Sequence, residues 1–231
     1  GRNDFIKELK KLNPEITTIV QNINSRDTNV ILGEKQRILF GKGYINDELC
    51  SIKFKISPKS FYQVNPLQTE KLYSLAIEKA NINKNDLVLD AYCGIGTIGL
   101  IASKFAKEVV GVEIVKEAVI DAYNNAKNNN IDNAKFYVGD AGEFILNEHN
   151  QGVKYDVVIM DPPRKGASEE FLSILIKTKP SRIVYVSCDP ATLARDLKYL
   201  SSLYDIVSVN PVDMFPHTFH VENVTLLTLK K

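Results

Sequence analysis

Residues 87–113 read L-V-L-D-A-Y-C-G-I-G-T-I-G-L-I-A-S-K-F-A-K-E-V-V-G-V-E, and this stretch decides the fold. Leu87 to Ala91 is a short apolar run of strand type, Thr97 to Phe105 carries a helical pattern, and Val109 to Glu113 is a second strand. Strand, helix, strand at this spacing is a βαβ unit, which places the two strands parallel. Gly94 and Gly96 let the connecting loop turn tightly and approach a ligand closely. The third glycine of a dinucleotide fingerprint is not at its place, which disfavours a Rossmann dehydrogenase. Glu113 ends the second strand about 20 residues beyond the loop, a spacing that sets a carboxylate on ribose hydroxyls. The competing reading is a solvated strand-end acid.

The same rhythm continues downstream. A helix is expected from Val115 to about Lys127, then a short strand from Phe136 to Val138 with Asp140 placed to reach an adenine edge. Asp156 to Met160 is a buried strand followed by Asp161-Pro-Pro-Arg-Lys-Gly166, whose prolines fix the backbone and hold the Asp161 carboxylate rigid. Arg164 and Lys165 are placed either to meet phosphates or as a solvated charge pair. After a helix over Glu169 to Ile176, the run Ile183 to Val186 is rich in β-branched residues, as a strand buried on both faces requires. It ends at Ser187-Cys188, and Asp189 and Pro190 suit the cap and first turn of a helix running to Leu200. Cys188 is therefore at the sheet edge where open α/β folds bind ligands, beside a helix terminus that favours a thiolate. The bland alternative is a small buried hydrophobe. Ile206 to Val212 and Val221 to Leu229 form a final antiparallel hairpin, and Glu222 is either a strand-surface acid or a general base returned to the Cys188 edge. His217 and His220 lack a third ligand and a helix to sit on, so no metal is expected.

Before residue 58 the rhythm is absent. Residues 2–12 place Phe5, Ile6, Leu9 and Leu12 on one helical face, and 16–23, 37–40 and 51–56 are short strands. This gives a partial β-rich subdomain over 1–57 and an α/β domain over 58–231. Pro58 to Pro66 is a linker in which Asn65 caps and Pro66 opens a helix to about Ala80. The charge is balanced, 29 Lys and Arg against 28 Asp and Glu, so it argues neither for nor against a polyanionic partner. Cys50, Cys93 and Cys188 are too scattered for a disulfide framework or metal cluster and favour a reducing, cytoplasmic setting. No apolar run approaches a membrane span.

Six segments in this order, S-F-Y-Q-V-N-P (60–66), L-D-A-Y-C-G-I-G-T (89–97), G-V-E (111–113), D-P-P-R-K-G (161–166), S-C-D-P-A-T-L-A-R-D (187–196) and D-M-F-P-H-T-F-H-V-E-N-V (213–224), resemble the RNA (uracil-C5)-methyltransferase family. The last segment is more similar to the 23S ribosomal RNA branch than to the tRNA branch. The resemblance implies a Rossmann-like class I methyltransferase fold and S-adenosylmethionine as cofactor. It also implies RNA as partner, ribosomal RNA before tRNA. By position it makes Cys188 the nucleophile and Glu222 the base. Gln63, Tyr92, Glu113 and Asp140 become cofactor contacts with Gly94, Gly96 and Thr97 in the loop, and Asp161 holds the cofactor or the target uracil. This chain has Asp189 where the family pattern usually has Asn. It also lacks the N-terminal RNA-binding β-barrel and the iron–sulfur cysteines of some members, so the resemblance implies a catalytic fragment.

The chemistry needs these residue types. Uracil C5 is a poor nucleophile until a thiolate adds at C6, and the methylated adduct must then lose its C5 proton to a base. The target base must be splayed from any stack, and Phe61, Tyr62 or Phe219 can supply a stacking face. The rival readings are a tRNA-directed enzyme and a non-catalytic module that binds cofactor or RNA without turnover.

Overall fold

The computed structural model describes residues 1–27 and 31–231. Helix α1 (Arg2–Leu12) leads into an antiparallel pair, β1 (Thr18–Ile23) and β2 (Lys35–Gly41), and then a hairpin of β3 (Ile45–Leu49) and β4 (Ile52–Ile56). Helix α2 (Pro66–Ala80) follows, with the Asn65 side chain capping it by accepting from the Gln68 amide at 3.3 Å. Beyond it run β5 (Leu87–Ala91), α3 (Thr97–Ser103), β6 (Glu108–Glu113), α4 (Lys116–Asn128), β7 (Ala134–Val138) and α5 (Ala141–Asn150). The chain closes with β8 (Val157–Met160), α6 (Glu169–Thr178), β9 (Arg182–Ser187), α7 (Pro190–Leu200), β10 (Tyr204–Val212) and β11 (Glu222–Leu229).

Strands β5 to β11 make one sheet in the order β10-β11-β9-β8-β5-β6-β7, parallel from β9 to β7, with β11 and β10 added antiparallel. The expected α/β architecture with a C-terminal hairpin is thus present. The central strands read as continuous apolar runs because both faces are covered: Val157 to Met160 and Ile183 to Val186 are all fully buried. One core layer carries Leu72, Val88, Ile159, Val184 and Val224 on the α2 and α3 side. The other carries Leu89, Val158, Phe171, Tyr185 and Leu197 on the α5, α6 and α7 side. The chain reverses its direction of growth across the sheet between β5 and β8, the kind of switch point at which such sheets open a crevice at their C-terminal edge.

Three features depart from the sequence reading. Strand β3 and helix α5 were not expected. Helix α1 forms, but its apolar face is covered only in part: none of its residues is fully buried, Ile6 and Leu9 are half-buried, and Phe5 is 58% and Leu12 76% exposed. Leu49, Ile52, Phe54 and Ile56 of the β3–β4 hairpin share the core layer of α2 and α3.

Candidate active site

Each strand of the parallel sheet delivers one functional segment to the same edge. At the tip of β5, Tyr92, Gly94 and Gly96 all have positive φ (63°, 54° and 80°). A side chain on Gly96 would strike Phe136 at 2.9 Å, whereas Gly94 faces open space. Tyr92 bears this conformation without being glycine and rests edge-on against Phe171, ring centroids 5.5 Å apart. Gly96 caps α3, so Thr97 is its first helical residue. At the tip of β6, Glu113 accepts from the Gly94 amide at 3.2 Å and the Val115 amide at 2.9 Å, so the acid braces the glycine loop. At the tip of β7, exposed Asp140 caps α5 through Oδ1, accepting from Gly142 and Glu143 amides at 2.8 and 3.1 Å.

The third acid, Asp161, follows β8 and makes no side-chain hydrogen bond among the described residues. Burial, then Glu222, then Asp90 push its carboxyl up to about 8. Asp90, for which the sequence offers no cue to a role, is buried on β5 and accepts from the Gly99 amide at 2.8 Å. Burial first, with Glu113 adding, pushes it up to about 7. Tyr73 of α2 is buried, and its hydroxyl is raised by burial first, with Asp161 and Asp90 adding and Gln63 opposing. Acids along one edge, beside an open glycine loop and with little cation to offset them, are the donor set a cationic nucleoside requires. The chain's residues therefore fit S-adenosylmethionine, whose ammonium and sulfonium would supply the missing positive charge. Gln63, Tyr92, Gly94, Glu113, Asp140 and Asp161 are the residues that would hold it.

Cys188 and Glu222 meet through strand register. Asn223 of β11 lies opposite Ser187 of β9, so Glu222 falls opposite Cys188 at the mouth of the sheet. Glu222 is buried, 5% exposed, and burial raises its carboxyl while Arg164 opposes the shift. At Cys188 the preference of the helix terminus for a thiolate meets opposing influences. Burial, Glu222 and Asp161 push the thiol up, and the lowering contributions of Arg164 and a backbone hydrogen bond do not offset them. Asp189, which follows Cys188, caps α7. Its Oδ1 accepts from the Ala191 and Thr192 amides, both at 3.0 Å, which stabilises the carboxylate as a cap.

Among the candidate stacking residues, Phe61 and Phe219 are 76% and 90% exposed, with the Phe219 ring against the His220 imidazole. Tyr62 does not join them, because its ring turns inward to Phe54, centroids 6.3 Å apart. Arg164 points across the site to His220, a contact that sequence alone could not reveal because the partners are 56 positions apart. Among the described residues no group of three or more His, Cys, Asp or Glu could hold a metal ion, and no helix is long and apolar enough to cross a membrane.

Comparison with known proteins identifies the family. An RNA methyltransferase of Oceanobacillus iheyensis, described as uncharacterized, is 51% identical over 230 residues, 99% of this chain and 50% of that protein. A similarly described RNA methyltransferase of Bacillus cereus is 53% identical over 230 residues, again 99% of this chain and 50% of its own length. The chain thus spans about half the length of the curated relatives it matches. The crystal structure of Pyrococcus abyssi tRNA (uracil-54, C5)-methyltransferase with S-adenosyl-L-homocysteine superposes with a TM-score of 0.78 at 34% identity, covering 95% of this chain and 53% of that one. A SAM-dependent methyltransferase from Agrobacterium tumefaciens, 15% identical with a TM-score of 0.65 over 96% of this chain and 80% of its own, shares the fold alone. The model of one family, tRNA (uracil-5-)-methyltransferase, matches residues 5–230. With the glycine loop, the row of strand-end acids and the facing Cys188 and Glu222 in place, the chain belongs to the tRNA (uracil-5-)-methyltransferase family.

Proposed function

We propose that this chain methylates C5 of a uridine in RNA, with residues 58–231 as the methyltransferase domain and 1–57 as part of a β-rich subdomain. The observation that carries the reading is the β9–β11 register, which puts Glu222 opposite Cys188. S-adenosylmethionine, when bound, supplies an electrophilic methyl group. Cys188 Sγ, as thiolate, adds to C6 of the uracil, and the electron pair of the C5–C6 bond moves toward C5 and the C4 carbonyl, making C5 nucleophilic. After C5 is methylated, Glu222 takes the C5 proton and Cys188 leaves as thiolate, restoring the ring. A buried carboxylate with a raised pKa suits that proton transfer near neutrality. Exposed Phe61 offers a stacking face for the splayed base, Arg164 offers a cation at the mouth, and Asp161 orients cofactor or uracil.

The substrate we propose is ribosomal RNA, from the resemblance of residues 213–224 to that branch. The 34% identical Pyrococcus enzyme, named for tRNA uracil-54, supports tRNA as the second reading. Both are tested together: ribosomal RNA fragments and a tRNA, each carrying 5-fluorouridine, are incubated with protein and S-adenosylmethionine and read by intact mass. Fluorine cannot leave as a proton, so the enzyme should stall as a methylated covalent adduct, lost in Cys188→Ala and kept in Glu222→Gln. No adduct with either RNA, from the full-length protein that contains this chain, would overturn the uracil reading.

A further inference from the structure

We propose that His220 is a positioning residue: its neutral imidazole holds Arg164 across the mouth of the site as the cation that offsets the carboxylates around Cys188. Its relevance to catalysis rests on Cys188 being the nucleophile, but the arrangement itself is a property of the free protein. Arg164 lies in the loop after β8 that also carries Asp161, and His220 lies in the β10–β11 connection two residues before Glu222. One guanidinium nitrogen of Arg164 reaches both ring nitrogens of His220, the contact to Nδ1 being the closer and that to Nε2 measuring 3.3 Å. An arginine N–H can only donate, so the nitrogen it approaches must be the unprotonated one. That selects the neutral imidazole with its proton on Nε2, and a doubly protonated ring has no acceptor left to offer.

The ends of this bridge are anchored. The Arg164 carbonyl accepts from Thr192 Oγ1 of α7 at 3.1 Å, which ties the loop to the helix that follows Cys188. The His220 amide donates to Thr218 Oγ1 at 3.2 Å, and that hydroxyl donates to the Phe215 carbonyl at 2.7 Å, closing a tight turn. The Phe219 ring lies against the imidazole, centroids 4.2 Å apart. The groups that feel the Arg164 charge are Glu222 from β11 and Cys188 and Asp189 before α7. Among the described residues Arg164 is the one cation that acts on Cys188, Asp189 and Glu222 alike. Without a partner, a surface arginine samples many rotamers and its field at the thiol is diluted by solvent. Fixing it concentrates that field where two acids, Glu222 and Asp161, otherwise oppose a thiolate.

The test reads the thiol and requires neither RNA nor cofactor. The rate of Cys188 alkylation by iodoacetamide is followed from pH 6 to 10 by peptide mass, which separates it from Cys50 and Cys93. Arg164→Gln should raise the apparent Cys188 pKa by about one unit, the effect of losing a nearby opposite charge. His220→Leu should move it in the same direction, by about half a unit or more. His220→Gln, whose amide oxygen can accept from Arg164, should restore most of the wild-type profile. The double variant Arg164→Gln/His220→Leu should match Arg164→Gln alone, since the two residues act as one unit. A His220→Leu profile that superposes on wild type while Arg164→Gln is shifted would overturn the positioning role, as would additive shifts in the double variant. An unshifted profile in Arg164→Gln would overturn the role of the cation. Failure of the fluorouridine adduct with these profiles as expected would count against the uracil reading and leave the bridge standing.

Discussion

The chain contains two long antiparallel pairs at opposite ends of its sequence, and they have different fates. In β1–β2 no residue is fully buried, and Ile38 is 58% exposed. The pair is held largely by its own ladder, by Thr18 Oγ1 bridging the Phe40 carbonyl and the Gly43 amide at 2.9 and 2.8 Å, and by Lys10 over the Phe40 ring. In β10–β11 the inner strand zips onto β9, burying Glu222 to Thr225 and Leu227. The lesson is that a strand gains both stability and function by docking. Glu222 is a candidate base only because β11 adds to the sheet edge in a register that one residue of slippage would destroy.

The docked side should be the fragile one. Asp196 of α7 is fully buried and accepts from Tyr185 Oη at 2.7 Å, the Ala167 amide at 2.9 Å and Arg195 Nε at 2.8 Å. Tyr185 lies opposite Thr225, so this network pins the strand on which the hairpin docks. Asp196→Ala strands several buried partners and should cost about 3–5 kcal/mol in urea unfolding followed by circular dichroism. A loss below about 1 kcal/mol would show that the strand does not depend on its polar pin. Leu227→Ala, at a position with no exposure on β11, should cost about 2–5 kcal/mol in the same measurement.

Next in size is an effect confined to the mouth of the docked hairpin. Asp161 has a folded-state pKa of about 8 against an ordinary value of 3.8, so between these values the folded protein binds more protons than the unfolded chain. Its contribution to stability is therefore fully present at low pH and is lost as pH rises through that window. Asp90, raised to about 7, acts with the same sign. In the free protein, Asp161→Asn should raise the Tm at pH 8 by a few degrees, roughly 2–4 °C for each kcal/mol relieved. The gain should vanish toward pH 4. A gain that is equal at both ends would point to packing instead of charge.

How much of this was legible depended on whether the signal was local. The strands β5, β8 and β9 announce themselves because a strand covered on both faces must be apolar throughout. Asn65-Pro66 and Asp189-Pro190 mark helix starts through cap chemistry that needs no tertiary information. Strand β3, I-N-D-E-L, hides because its polar residues face outward and its turn uses Cys50 and Ser51 at positive φ, 51° and 59°, where glycine is the usual cue. Helix α5 does carry a signal, Asp140 at the cap with Glu143 three residues on, but an acid at a strand end suits a ligand contact equally well. The site motifs were contiguous and so readable. The charge balance at Cys188 was not, since Asp161, Glu222 and Arg164 meet only in the fold, and the same holds for the buried role of Asp90.

The smallest expected effect is the sharpest check on the opening contrast. Ile38 of β2 is apolar and lies in a strand, as Leu227 does, yet its side chain covers only the turn of its own segment. A Cβ built on Gly43 would come within 2.4 Å of Ile38 Cδ1. Because most of the side chain is already in water, truncation removes little burial and opens no cavity. Ile38→Ala should therefore change stability by no more than about 0.5 kcal/mol, several-fold less than Leu227→Ala despite the similar chemistry of the two deletions. The pair of substitutions isolates docking as the variable: same motif, same class of residue, different cover. If Ile38→Ala instead costs more than about 1 kcal/mol, the first hairpin has a covering surface in solution, and the division between a docked and an undocked pair fails.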